Sequence, residues 1–260
     1  MYRFLLMPRW LAGHVLLVVT VVTFVNLGLW QLQRLDERRD HNALVTERLA
    51  APPVALDELF ATAGRERAAL EYRRVTVDGR YRADGQVLTA PRSRDGRPGP
   101  QVLTVLQRDG GAALLIDRGW IPFERDVPAP APPAGEVRID GIVRGPEPGG
   151  IGDGEQVARI VPSQIAGRVD QDLPDFYVEL WDQRPSTAGA PLPGAAPELS
   201  EGSHQSYALQ WFTFALIALA GYPALVWRTA RERARPTGEG DGDGDRAGPA
   251  DLPGDPARIP

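Results

Sequence analysis

Apolar residues are concentrated in two stretches near the ends of the chain. The first covers residues 10–30, WLAGHVLLVVTVVTFVNLGLW, and the second covers residues 207–227, YALQWFTFALIALAGYPALVW. At about 1.5 Å per residue, about 21 helical residues span roughly 31 Å, close to a hydrocarbon core of about 30 Å. Aromatic residues stand at the ends of both stretches, as they do at membrane interfaces. We therefore predict two transmembrane helices, 10–30 and 207–227.

The arginine distribution predicts how these helices are oriented. Four arginines follow the first stretch, and six lie at the outer ends of the two stretches: Arg3, Arg9, Arg228, Arg231, Arg233 and Arg235. Positive residues favour the cytoplasmic side, whereas a long loop is translocated with little regard to its charge. We expect residues 1–9 and 228–260 in the cytoplasm, and residues 31–206 outside the plasma membrane of a bacterium. No small-residue cleavage site follows the first stretch, which argues against a signal peptide.

Polar and small residues inside the stretches predict how the helices pack. Asn26 is a candidate for a hydrogen bond to the second helix, because polar groups at membrane depth usually face a partner. Gly28 and Gly221 are positions where two helices can approach closely. His14 lies about one turn from the cytoplasmic edge and can reach the interface.

Between the stretches the apolar pattern alternates, which is typical of β-strands. A short helix comes first, with Asp57 as its N-cap. Strands are then predicted at 73–81, 86–91, 101–108, 112–122, 136–145 and 175–181, with a hairpin turn at 109–111 and a helix from Pro162. Asp78-Gly79 is predicted as a turn or bulge in the first strand, and 92–101 as a loop.

These elements predict an α+β membrane protein. Two transmembrane helices flank an extracytoplasmic β-rich domain, an antiparallel sheet or small barrel with minor helices. Proline-rich segments from Pro128 and at 185–203 are predicted linkers. The acidic tail, 228–260, has little apolar content to bury and is expected to be disordered.

The amino-acid composition excludes several kinds of site and partner. The chain has no cysteine, which excludes disulfides, thiolate metal sites and iron–sulfur clusters. Its two methionines, Met1 and Met7, are both at the amino terminus, so a methionine copper site has no support. The net charge of -5 gives no sign of a nucleic-acid partner.

Catalytic motifs are not found along the chain. The histidine His41 lies in a charged run, and neither it nor His204 belongs to a metalloprotease or hydrolase motif. A membrane-anchored hydrolase would need one of these histidines beside a serine such as Ser93 or Ser163.

His204 is the first candidate for binding a cofactor. It is predicted in a polar, loop-like approach about one turn outside the membrane, where a neutral imidazole can be the axial ligand of a heme iron. The alternative is a solvated loop histidine. Tyr207 and Trp211 follow it and supply aromatic surface next to the candidate ligand.

The segment LLIDRGWIP, 114–122, holds the second candidate. In a regular strand Asp117 faces one side and Arg118 the other, while Gly119 permits a tight bend. Arg118 is a candidate for binding a carboxylate such as a heme propionate in a bidentate pair. A structural ion pair or an exposed side chain is the alternative.

Five segments, in this order, resemble the surfeit-locus family of cytochrome c oxidase assembly factors: NLGLWQLQRL, YRRVTVDGRY, LTAPRSRDG, LLIDRGWIP and HQSYALQWF. The resemblance covers about residues 10–230. It implies a membrane assembly factor, not an enzyme, that assists the biogenesis of heme-copper terminal oxidases. For bacterial members it implies binding of heme a and its transfer to the oxidase catalytic subunit, with heme a synthase as a second candidate partner. His204 falls on the family's histidine before the Y-A-x-x-W signature.

Two other functions remain open at this point. A scaffold would hold an oxidase subunit or an assembly intermediate without ligating heme. A membrane-anchored hydrolase would need an organised nucleophile and base. The absorption spectrum of the purified protein separates the heme carrier from the scaffold.

Overall fold

The structure of the chain, a computed structural model, describes residues 3–64, 66–123, 129–187, 191–194, 197 and 199–234. It divides into two compact units: the helical unit, residues 1–33 and 203–260, and the barrel unit, residues 34–202. The predicted disorder of the tail is wrong for residues 228–234, which are helical. The rest of the tail, with Arg235, lies outside the described residues. So do Pro128 and parts of the predicted linker at 185–203.

Two long helices carry the apolar stretches. A short 3-10 helix, Arg3–Leu6, precedes α1 (Pro8–Ala50), and α5 (His204–Ala234) is the last element described. Both helices are long and apolar enough to cross a membrane. The 43 residues of α1 span roughly 65 Å, about twice a hydrocarbon core, so its polar second half must extend beyond a bilayer that the first half crosses.

Gly28 brings α1 and α5 close together, as predicted. A side chain at Gly28 would place its Cβ atom 2.6 Å from the Phe212 ring. Gly221 is not a site of close helix approach, because nothing lies within 4 Å of the position that a Cβ atom would occupy there. The prediction for Asn26 is wrong: its amide donates to the Val22 carbonyl of its own helix at 2.8 Å, which satisfies the donor without the second helix.

The barrel unit contains, within its described residues, three short helices and eight strands. The helices are α2 (Leu56–Ala63), α3 (Arg67–Leu70) and α4 (Pro162–Val169). The strands are β1 (Val54–Ala55), β2 (Arg74–Leu88), β3 (Arg92–Arg94), β4 (Arg97–Gly99), β5 (Gln101–Gln107), β6 (Leu114–Trp120), β7 (Glu136–Arg144) and β8 (Tyr177–Arg184).

Five of these strands close into a small barrel. The neighbours follow the order β2, β5, β6, β8 and β7, and β7 pairs back onto β2. A ring with an odd number of strands cannot alternate direction throughout, so at least one pair must be parallel. That pair is β6 and β8, with Asp117 opposite Glu179, and β1 is also parallel to β2. The antiparallel prediction is wrong for these two pairs and confirmed for the other pairs of the ring.

Strand β2 continues through Asp78-Gly79, where a turn or bulge was predicted, and through residues 82–85, where two strands were predicted to be separate. Asp78 and Gly79 pair with β7 in regular register, so they form neither a turn nor a bulge. The irregularity lies instead between Tyr81 and Gln86, in the half of β2 that pairs with β5. The strand is long because successive halves of it serve different neighbours.

The predicted loop at 92–101 contains the hairpin of β3 and β4. Its turn residues, Asp95 and Gly96, both have positive φ, 52° and 75°, as a two-residue hairpin turn prefers. The surrounding charged residues do not alternate with apolar ones, so the sequence pattern gives no strand signal here.

Helix α2 begins two residues earlier than predicted. Ala55 occupies the N-cap position and makes no side-chain cap, and Asp57 lies in the first turn. The negative charge of Asp57 still favours the helix there, because the N-terminal end of a helix carries partial positive charge.

Two apolar clusters cover the two sides of strand β6. One fills the barrel with residues from all five strands of the ring and from α2 and α3. The other packs alternate residues of β5 and β6, including Leu103 and Leu115, against Ile165 of α4. Successive strand residues face opposite sides, so all 7 residues of β6 are buried.

Candidate functional site

His204 is the first residue of helix α5 rather than part of a loop. The turn before it forms at Gly202, whose φ of 71° suits glycine, and the Tyr207 amide donates to the Ser203 carbonyl at 3.1 Å. The imidazole is half-buried. A helical backbone therefore fixes the direction in which the ring leaves the chain.

Gln31 of α1 contacts the His204 ring across the helical unit. Its side-chain oxygen Oε1 lies 2.9 Å from His204 Nδ1. Gln31 is itself half-buried. No local sequence pattern singles out Gln31, although it lies in the NLGLWQLQRL segment and is the first polar residue after Trp30.

Tyr207 and Trp211 share the helix face of His204, which the sequence had suggested to be in a loop before the helix. The three residues stand at i, i+3 and i+7, which places them along one side of α5. Tyr207 is 48% exposed. The Trp211 ring lies 5.6 Å from Phe24 and 5.9 Å from Phe214, measured between ring centres. A half-buried histidine therefore begins an aromatic surface that continues for two helical turns.

His14 lies elsewhere in the helical unit, where it hydrogen-bonds Tyr222. The ring nitrogen Nδ1 of His14 contacts the Tyr222 hydroxyl. Trp10 packs edge-on against Tyr222, with ring centres 6.4 Å apart. The polar groups of His14 and Tyr222 thus satisfy each other between the two helices.

Arg118 belongs to the barrel unit and is completely buried, with 0% exposure. Its Nη1 donates to Gln86 Oε1 at 3.1 Å and to the Pro130 carbonyl at 3.0 Å, and its Nη2 donates to the Ala131 carbonyl at 3.2 Å. The guanidinium also lies 5.4 Å from the centre of the Tyr81 ring. Burial lowers the pKa of Arg118.

Within the described residues, Arg118 is neither an exposed side chain nor a member of a structural ion pair, the two alternatives expected from the sequence. The side chain is not exposed, and the ion pairs among described residues do not include it. Neutral oxygen atoms accept its hydrogen bonds instead. Binding of a propionate by Arg118 stays a prediction.

Asp117, next in the same strand, faces a different set of groups. Gln101 Nε2 donates to its Oδ2 at 2.8 Å, and the Gly119 amide donates to its Oδ1 at 3.0 Å. Burial, reinforced by the negative charge of Glu179, raises the pKa of Asp117 to about 7. The predicted separation of Asp117 and Arg118 onto opposite faces is confirmed by their different partners.

Gly119 has a different role from the tight bend that was predicted. It lies inside β6 with φ of 116°, and a Cβ atom there would be 2.1 Å from the Leu192 carbonyl oxygen. Trp120 and Leu192 exchange two backbone hydrogen bonds of 2.8 Å beside it. Glycine is needed because another segment of backbone lies against the strand.

The histidines do not form the nucleophile–base pair that a hydrolase needs. The His41 ring packs edge-on against Tyr72, with ring centres 5.6 Å apart. In the described part of the chain, no serine hydroxyl is hydrogen-bonded to His41 or to His204. No group of three or more metal-ligating side chains occurs there either. The arrangement gives the hydrolase alternative no support.

Comparison with known proteins identifies the family. The sequence profile of the SURF1 family matches residues 18–216. A SURF1-like protein of Mycobacterium tuberculosis is 31% identical over 243 residues, which covers 89% of each chain. A SURF1-like protein of Monosiga brevicollis is 28% identical over 79% of this chain and 84% of its own, and one of Caenorhabditis elegans is 26% identical over 81% and 73%. The surfeit-locus resemblance is thus confirmed, and the chain belongs to the SURF1 family, known for oxidase assembly factors.

Proposed function

We propose that this protein binds heme a at His204 and passes it to the catalytic subunit of a heme-copper oxidase during assembly. The observation that carries the proposal is the position of His204. A half-buried imidazole at the start of α5 is held by Gln31 and begins the aromatic face of Tyr207 and Trp211. The proposal places the oxidase subunit, and heme a synthase as donor, among the partners.

The chemistry of the residues present fits a heme as cargo. An axial ligand requires an imidazole nitrogen with a free lone pair, and the Nδ1 contact to Gln31 leaves the other nitrogen, Nε2, for that purpose. Tyr207 and Trp211 add aromatic surface that suits an apolar macrocycle. A cargo must also be released, and one histidine ligand on an open face suits release better than an enclosed site.

The ligand role of His204 is tested with protein purified from cells that make heme a. We expect His204→Ala to lower the heme a content at least tenfold, as read from the absorption spectrum, while the protein still inserts into membranes. His41→Ala is the matched control, because His41 packs on Tyr72 and should keep the wild-type heme content. Equal heme content in the His204→Ala and wild-type proteins would exclude His204 as the ligand.

The scaffold alternative gives a different result in the same preparation. A scaffold would co-purify with the oxidase catalytic subunit, and its wild-type spectrum would contain no heme a. His204→Ala would then leave both the spectrum and the co-purification unchanged.

We also propose that the barrel unit is extracytoplasmic and that both termini are cytoplasmic. The chain has no cysteine, so a single introduced thiol reports its own side of the membrane. A membrane-impermeant maleimide applied to intact cells should label Ser93→Cys, an exposed position in β3, and not Thr237→Cys near the carboxyl terminus. Labelling of Thr237→Cys in intact cells, with Ser93→Cys protected until lysis, would reverse the assigned orientation.

A further inference from the structure

The contact between Gln31 and His204 bears on which nitrogen of the histidine is available to a ligand. The 2.9 Å contact joins Gln31 Oε1 to His204 Nδ1. Gln31 lies inside α1, more than four residues from either end, so a continuous helix fixes its backbone. The pair links α1 to the first residue of α5, 173 positions apart along the chain.

We infer that Gln31 is a positioning residue that makes Nε2 of His204 the nitrogen that binds heme. This inference rests on the proposed function. A neutral imidazole carries one N–H group and one lone pair, and an amide oxygen can only accept a hydrogen bond. With Oε1 facing Nδ1, the proton must be on Nδ1, and the lone pair is therefore on Nε2.

The same contact would have the opposite effect if the amide were turned around. The Gln31 NH₂ group would donate to Nδ1, the proton would move to Nε2, and His204 would have no free lone pair for iron. The orientation of one amide therefore separates a histidine that can bind heme from one that cannot. This difference can be measured in the absence of heme.

Gln31 also fixes the direction of the His204 ring. An acceptor hydrogen-bonded to the second nitrogen of a ligating histidine orients the ring, and its loss typically lowers metal affinity about 10- to 100-fold. We expect Gln31→Leu to weaken heme a binding about tenfold. Gln31→Glu keeps an oxygen acceptor at this position and should retain most of the affinity.

The test combines nitrogen NMR with heme titration on the full chain in lipid nanodiscs. The protein, labelled with ¹⁵N-histidine, contains three histidines, and a His204→Ala sample assigns the His204 signals. In heme-free wild type and in Gln31→Glu we expect Nδ1 protonated and Nε2 bare. In Gln31→Leu we expect a mixture of the two tautomers. Gln33→Leu is the matched control, because Gln33 is exposed on the same helix and should change neither measurement.

The possible outcomes separate this inference from the proposed function. Protonated Nε2 in the wild type, or wild-type heme affinity in Gln31→Leu, would overturn the role of Gln31. If His204→Ala keeps its heme a, the proposed ligand is wrong, and the positioning role toward heme falls with it, whatever the tautomer. Loss of heme in His204→Ala together with unchanged tautomers in Gln31→Leu would leave the ligand standing and remove Gln31 alone.

Discussion

The helical unit and the barrel unit differ in how much of a polar side chain remains open to a ligand. In the helical unit, His204 is half-buried, and its Nδ1 is hydrogen-bonded to Gln31, whereas its Nε2 has no partner in the part of the chain that the structure describes. In the barrel unit, Asp117 and Arg118 are 1% and 0% exposed. All residues of their strand, β6, are buried.

This difference distinguishes the proposed binding role of His204 from the structural roles of Asp117 and Arg118. Buried polar groups are costly unless they are hydrogen-bonded, and both side chains on β6 are hydrogen-bonded to other parts of the barrel unit. They therefore help to define one packing arrangement of the barrel. The Nε2 nitrogen of His204 has no protein partner among the described residues, so it remains available to the proposed cargo.

The largest expected effect on stability comes from the buried carboxyl group of Asp117. Its folded pKa of about 7 is raised above the value near 3.8 expected in the unfolded chain, so the native state holds a proton that the unfolded state has lost. Stability should therefore fall as pH rises from about 4 to about 7 and level off above that range. Asp117→Asn cannot lose a proton and should reduce this fall by up to about 4 kcal/mol.

Denaturation of the full chain in detergent between pH 4 and pH 8, followed by tryptophan fluorescence, measures this effect. Burial also raises the pKa of Glu179, so a smaller fall of the same sign should persist in Asp117→Asn. Asp182→Asn, at an exposed position of β8, is the control and should retain the wild-type pH dependence. Identical pH profiles for Asp117→Asn and wild type would show that Asp117 is not a buried acid.

A smaller effect is expected in the helical unit, where the helices meet at Gly28. A Gly28→Leu side chain would collide with the Phe212 ring, whose nearest atom lies 2.6 Å from the Cβ position. The ring is the end of a movable side chain, so the collision should cost only about 1 kcal/mol. Thermal unfolding in detergent should show a lower midpoint for Gly28→Leu.

Gly221→Leu is the matched control for this prediction, because nothing lies within 4 Å of its Cβ position. Phe212→Ala combined with Gly28→Leu should restore part of the lost stability by making room for the leucine. Equal midpoints for Gly28→Leu and Gly221→Leu would remove Gly28 as a packing contact.

Sequence reasoning found one half of the candidate site and missed the other. His204, Tyr207 and Trp211 lie close together in the chain, so helical periodicity alone places them on one face. Gln31 is 173 residues away from His204, and no local pattern connects the two. Arg118 was correctly placed on a strand, but its burial depends on residues 86, 130 and 131, which only the folded barrel brings to it.

The sequence by itself determined the two apolar helices, most of the strands and the family, because these depend on local periodicity and on ordered motifs. Only the tertiary structure decided that β6 and β8 are parallel, since closing a ring of five strands is a property of the whole sheet. It also decided the partner of His204, because a side-chain hydrogen bond between α1 and α5 depends on how the helices pack. Local sequence patterns predict the helices and strands, whereas contacts between distant residues determine which groups surround the candidate site.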